Sequence, residues 1–119
     1  MKIAFTSEGT TQESQLDPRF GRTKYFHIYD DGNKSWEIVD NKQNFQAAQG
    51  AGIQAASIVA NKKCQAVVTG HCGPKAFRTL AVAGIAIYLC ETGTVIEALE
   101  KFQQNALRKI DNADVEGHW

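Results

Sequence analysis

Ala66-Val67-Val68-Thr69-Gly70-His71-Cys72-Gly73-Pro74-Lys75 passes from an apolar, β-branched run through a glycine-bracketed turn into a proline. The run Ala66 to Thr69 is too short for a helix and reads as a buried strand. Pro74 can open a helix in its first turn, where its missing N–H costs nothing. That helix is expected to carry Ala76, Phe77, Leu80 and Ala81 inward and to stop near Gly84. Ile85-Ala86-Ile87-Tyr88-Leu89 is then a second buried strand. A strand, a crossover helix and another strand predict an α/β fold with parallel strands at its centre.

Upstream, Lys2 to Thr6 reads as a short first strand. Lys24 to Asp30 alternates apolar and polar residues with the period of a half-buried strand. Asp31-Gly32-Asn33 is turn chemistry, and Ser35 to Asp40 is the return strand of a hairpin. After a polar link, Ile53 to Ala60 reads as a helix with Ile53, Ala56 and Ala60 on one face, beside Ala55 and Val59. Downstream, Thr94 and Glu97 match a capping box opening a helix through Ala98, Leu99, Phe102 and Leu107. The order β-β-β-α-β-α-β-α predicts one domain over residues 1–110 with a five-stranded mixed sheet ordered 3-2-1-4-5. The second strand is antiparallel, and right-handed crossovers set the order of the others. Residues 111–119 are expected to be a C-terminal tail, without periodicity from Asn112 onward.

Ligands of open α/β sheets sit beyond the carboxyl ends of the parallel strands. Three loops are expected there: Ser7-Glu8-Gly9, Gly70 to Lys75, and Cys90-Glu91-Thr92-Gly93. Cys72 and Cys90 share that rim. Cys64 precedes its strand and, over about six residues of roughly 3.3 Å rise, belongs to the opposite end. The Gly70 to Lys75 loop carries the densest chemistry. His71 and Cys72 are competent metal ligands, Gly70 and Gly73 let the backbone come close to a ligand, and Lys75 adds charge. The helix start behind Pro74 suits an anion and is expected to favour the Cys72 thiolate. By themselves the same residues more often make a plain strand-to-helix turn, and a lone Cys90 is more often a small buried apolar residue than a ligand. Asp17-Pro18-Arg19-Phe20-Gly21-Arg22 is a second candidate. Arg19 and Arg22 could clamp an oxyanion or other delocalised anion, or Asp17 could pair with either arginine and lock the loop. His27 reads as structural and His118 as exposed.

Composition narrows the function classes. Lys plus Arg and Asp plus Glu are both 13, which removes the global electrostatic case for nucleic acid. No apolar run approaches the ~20 residues of a membrane span, and the first residues lack the long apolar core of a secretory signal. The expected location is the cytoplasm. Three widely spaced cysteines do not suggest a disulfide framework. There is no P-loop, dinucleotide-binding glycine pattern, Cys-x-x-Cys or His-Glu-x-x-His, and too few cysteines on one rim for a four-cysteine iron–sulfur cluster. Strand one has no carboxylate for nuclease metals.

Four segments in order carry a family resemblance. They are Lys2 to Ser7, Asp17 to Arg22 before Tyr25-Phe26, Gly50 to Ala56, and Val68 to Phe77 running on to Ala83-Gly84-Ile85. Together they resemble the dinitrogenase iron–molybdenum cofactor biosynthesis family over roughly residues 1–107, in the small stand-alone branch that includes the orange protein. The resemblance implies a ribonuclease H-like three-layer fold. It also implies non-catalytic binding or carriage of an anionic metal–sulfur cluster, of Mo–Cu type or an Fe–Mo precursor. The resemblance does not extend to the radical-enzyme domain found in some longer relatives, so no cofactor-building activity is expected from it. Arg19, Arg22, Gly70, His71, Cys72, Gly73 and Lys75 are the expected cluster-binding residues, with His71 and Cys72 as metal ligands. The expected partners are the cluster and a protein that donates or accepts it, with no nucleic acid or membrane, and the expected state is a monomer. The alternative is a protein-interaction module of the same fold without metal. A Cys72 nucleophile with His71 as its base ranks last, because neighbours on a turn rarely point at each other.

Overall fold

Successive side chains along Lys2–Ser7 point to opposite faces of the sheet. Ala4 joins one apolar cluster, while Ile3 and Phe5 join another. In the computed structural model, which describes residues 1–45 and 50–114, the strands are β1 (Lys2–Ser7), β2 (Tyr25–Asp30), β3 (Ser35–Asp40), β4 (Ala66–Thr69), β5 (Ala86–Leu89) and β6 (Arg108–Lys109). The helices are α1 (Lys42–Phe45), α2 (Ala51–Asn61), α3 (Pro74–Val82) and α4 (Val95–Gln103). The strands form one mixed sheet in the order β3-β2-β1-β4-β5-β6. β1, β4 and β5 are parallel, and β2 is antiparallel to both neighbours.

The sheet has six strands where five were expected. The sixth is the two-residue β6, antiparallel to β5 through Tyr88–Lys109 and Leu89–Arg108. Two residues are too few to show an alternating pattern. The last helix also ends at Gln103, short of Leu107, because the chain turns at Asn105 with φ 56°. Leu107 still packs, partly buried, against the cluster under α4.

Helices α2 and α3 cover one face of the sheet through Ala55, Ala56, Val59, Ala76 and Leu80. Val95, Ala98 and Leu99 of α4 cover the other face. Leu80 is fully buried, which stabilises the fold by ~1.5–3 kcal/mol. The expected inward face of α2 needs correction. Ala51, Ala55, Ala56 and Val59 are buried, whereas Ile53 is 42% exposed. The reason is close helix packing: a methyl added at Gly52 would stand 3.0 Å from the Ala76 Cβ, so only small residues fit where α2 crosses α3. Of the expected inward residues of α3, Ala76 and Leu80 are buried, Phe77 is half-buried and Ala81 is exposed. Strand β4 has four residues, not six. Cys64 nevertheless lies at the far end, beside Gln65, whose N–H donates to the Lys2 carbonyl.

Candidate functional site

The carboxyl ends of β1, β4 and β5 meet along one rim, where the backbone ties the long loop after β1 to the loop after β4. The Thr6 hydroxyl donates to the Asp17 carbonyl at 2.7 Å and lies 3.0 Å from the Thr69 hydroxyl. Arg19 and His71 form a parallel bridge, with the Phe20 N–H donating to the His71 carbonyl at 3.2 Å. Gly70 permits this approach, since a Cβ there would lie 2.7 Å from the Pro18 Cα and 2.8 Å from its carbonyl oxygen. Two segments fifty residues apart in sequence thus lie side by side.

The next contact is with the helix starts. A Cβ on Gly21 would stand 2.8 Å from the Cα and N of Gly52, in the first turn of α2. Gly52 in turn meets Ala76, in the first turn of α3. The arginine loop therefore rests on α2 where α2 rests on α3. Helix α2 starts after Gly50 (φ 80°) and α3 after Gly73, and among the described residues neither has a side-chain cap. Uncapped helix starts carry the positive end of the helix dipole and suit an anion.

The candidate side chains differ in their placement. Asp17 is buried, and its carboxylate accepts the Arg19 N–H at 2.9 Å, with the Arg19 Nε 3.7 Å away. Asp17 thus locks the loop. Burial raises its pKa, partly offset by the Arg19 N–H and guanidinium. The Arg19 side chain remains 40% exposed. Arg22, just beyond buried Gly21, is half-exposed, and Lys75 in the first turn of α3 is exposed. Gly70 and Gly73 are both buried.

His71 and Cys72 diverge. The His71 ring is 34% exposed. Cys72 is 1% exposed and belongs to the core cluster under α2 and α3. The expected thiolate is therefore corrected: burial, with the Asp114 carboxylate nearby, pushes the thiol up to about 12, so it is protonated near neutral pH. Desolvation outweighs the helix start here because the thiol sits among apolar side chains. Cys90 is on the same rim but in the cluster on the other face of the sheet. Among the described residues, no group of three or more His, Cys, Asp or Glu could hold a metal ion.

Asp114 was not foreseen as part of this rim. It comes from the stretch read as tail, 42 positions beyond Cys72. Its carboxylate accepts the Cys72 N–H at 2.7 Å and lies 2.8 Å from His71 Nδ1. Its own N–H donates to the Cys72 carbonyl at 3.2 Å. No local pattern around Asp114 announces this contact. His27 is fully buried in β2, with Nε2 2.7 Å from the Gly9 carbonyl, and burial lowers its pKa. It pins the loop after β1, as its structural reading implied. His118 and Trp119 lie outside the described residues.

The layered sheet, with a glycine-built rim at its carboxyl edge that carries Arg19, Arg22 and Lys75, defines a small α/β protein with a candidate anion site. The chain belongs to the dinitrogenase iron–molybdenum cofactor family, which residues 1–105 match. It is similar to the apo form of the orange protein from Desulfovibrio gigas, at 34% identity and TM-score 0.92 over 96% of each chain. It is also similar to a Thermotoga protein of the DUF35 family solved by NMR, at 32% identity and TM-score 0.86 over 98% of each chain. An uncharacterised protein of Methanocaldococcus jannaschii is 31% identical over 114 residues, covering 93% of this chain and 92% of that one. No helix among the described residues is long and apolar enough to cross a membrane.

Proposed function

We propose that this protein binds and carries a preformed anionic metal–sulfur cluster, of molybdenum–copper type or an iron–molybdenum precursor, and does no chemistry on it. One observation carries the reading. The arginine loop is bridged to His71 and packed onto the start of α2 where α2 meets the start of α3, and among the described residues neither start has a side-chain cap. That donor set fits a large, polarisable anion that brings its own sulfur. A bare metal ion would need a shell of protein ligands instead. Arg19, Arg22 and Lys75 supply charge, the turns at Gly70 and Gly73 let the cluster approach the backbone, and His71 supplies a donor or ligand. Cys72 could ligate a metal only after its buried thiol loses a proton, so its part in this reading is chiefly to pack the floor of the rim. The same protonated thiol is a poor nucleophile, which supports a carrier over an enzyme.

The reading includes a ribonuclease H-like classification of the layers, a cytoplasmic monomer, and exchange of the cluster with a donor or acceptor protein. Anaerobic reconstitution with tetrathiomolybdate and copper, followed by visible absorption, tests it. Wild type should take up the cluster, and an Arg19→Ala/Arg22→Ala/His71→Ala variant should lose at least about tenfold in affinity, as expected for charge-assisted contacts of ~1.5–3 kcal/mol each. Equal uptake by both would eliminate the site. If wild type isolated without oxygen holds no metal and takes up none, the rim is instead a docking face for a protein partner.

A further inference from the structure

We propose that Asp114 is the positioning residue of this rim, holding His71 in the tautomer whose lone pair is on Nε2. The inference rests on the cluster reading above and deepens it by naming which atom of His71 meets the metal. An ionised carboxylate only accepts hydrogen bonds. With Asp114 Oδ2 2.8 Å from Nδ1, the proton must sit on Nδ1. In the neutral ring the lone pair then resides on Nε2, the nitrogen on the far side from Asp114. A histidine that donates one N–H to a carboxylate while its other nitrogen binds a metal has both its tautomer and its ring orientation fixed.

Asp114 is itself held in place. Its other carboxylate oxygen accepts the Cys72 N–H at 2.7 Å, and its N–H returns a bond to the Cys72 carbonyl at 3.2 Å. The preceding residues are anchored by the β6–β5 pairing and by the Ile110 N–H donating to the Ile87 carbonyl at 3.0 Å. The Asp114 side chain is only 16% exposed, so water competes weakly for the contact. The C-terminal stretch thus contributes to the site without supplying a ligand.

Asp114→Asn separates this role from simple packing. The isosteric amide can keep accepting the Cys72 N–H through Oδ1 while its Nδ2 donates to His71 Nδ1. That reversal puts the lone pair on Nδ1 and the proton on Nε2. Ring ¹⁵N chemical shifts of the cluster-free protein at pH 8 read the tautomer directly, and protection of the Cys72 amide from hydrogen exchange reports whether the strap stays docked. Wild type should show a protonated Nδ1 and the variant a protonated Nε2, with the Cys72 amide protected in both. Uptake of tetrathiomolybdate with copper should weaken by about 10- to 100-fold in the variant, the usual cost of losing such a partner. A protonated Nε2 in wild type overturns the proposal, as does equal uptake by wild type and variant despite reversed tautomers. If the tautomers reverse as expected but wild type takes up no metal, the cluster reading fails and the metal-facing role of Nε2 fails with it.

Discussion

Helices α3 and α4 both start at the same edge of the sheet, on opposite faces, and their first turns are built in opposite ways. Helix α4 satisfies its own start. The Thr94 N–H donates to the Glu97 carboxylate at 2.8 Å, and the Glu97 N–H to the Thr94 hydroxyl at 3.2 Å. The Val95 and Ile96 N–H groups donate to the Ser14 and Gln12 carbonyls. Four donors at a helix start ordinarily need partners, and here all four have protein ones. Among the described residues, helix α3 starts at Gly73 with no side-chain cap, and α2 starts beside it the same way. A capped helix end is finished as structure, whereas an uncapped one on a cationic rim retains its capacity for an anion. The rim therefore has a closed face under α4 and an open one over α2 and α3.

The largest effect should come from breaking the open side. A methyl at Gly70 would collide with backbone atoms of Pro18 at 2.7 and 2.8 Å, and backbone cannot rotate away. Gly70→Ala should cost ~1–3 kcal/mol, the range for overpacking, measured by urea denaturation. It should also weaken tetrathiomolybdate uptake by separating the Arg19 and His71 segments. Full uptake by a folded Gly70→Ala protein would show that the two segments need not touch.

Opening the closed side should do less and do something different. Thr94→Ala removes the cap and should cost ~1 kcal/mol with cluster uptake unchanged. A loss of uptake there would make the two faces one functional unit. Glu97 adds a pH signature. Its pKa is lowered, chiefly by the Thr94 backbone N–H and then by the Thr94 hydroxyl. A lowered carboxyl pKa stabilises the fold above the unfolded value and is lost as pH falls through the folded value. Wild type should lose stability relative to Glu97→Gln on acidification through that window, and parallel curves would remove the carboxylate from the account.

The last test leaves the fold untouched and concerns Cys72. With its thiol pushed up to about 12, labelling of Cys72 by iodoacetamide at pH 8 should be slower in the native protein than in the urea-unfolded chain by about a hundredfold or more. Fast native labelling would mean that the thiol is exposed to solvent on the open side.

Much of the fold was legible from local pattern. The alternation in Tyr25–Asp30 and Ser35–Asp40, the short apolar runs at β4 and β5, and the Thr94/Glu97 box each announced their element, because each depends on neighbours within a few residues. What was missed depends on distant partners. Strand β6 exists because β5 offers an edge, Ile53 is exposed because Gly52 must meet Ala76, and the four-residue α1 lies in what read as a polar link. At the site, chemistry-bearing residue types were recognisable from Gly70 to Lys75 and around Arg19, but their orientation was not. His71 and Cys72 are adjacent in sequence, yet the ring lies in the open rim and the thiol in the core.

By itself the sequence determined the layered α/β architecture, the three loops at the carboxyl edge and the family, since hydrophobic period, turn residues and motif order are properties of the chain alone. Only the tertiary structure decided that Asp17 locks the arginine loop, that Cys72 is a buried thiol, and that Asp114 holds His71. Each of those outcomes depends on desolvation or on a hydrogen bond between groups far apart in the chain, and neither exists until the sheet and its covering helices have brought them together.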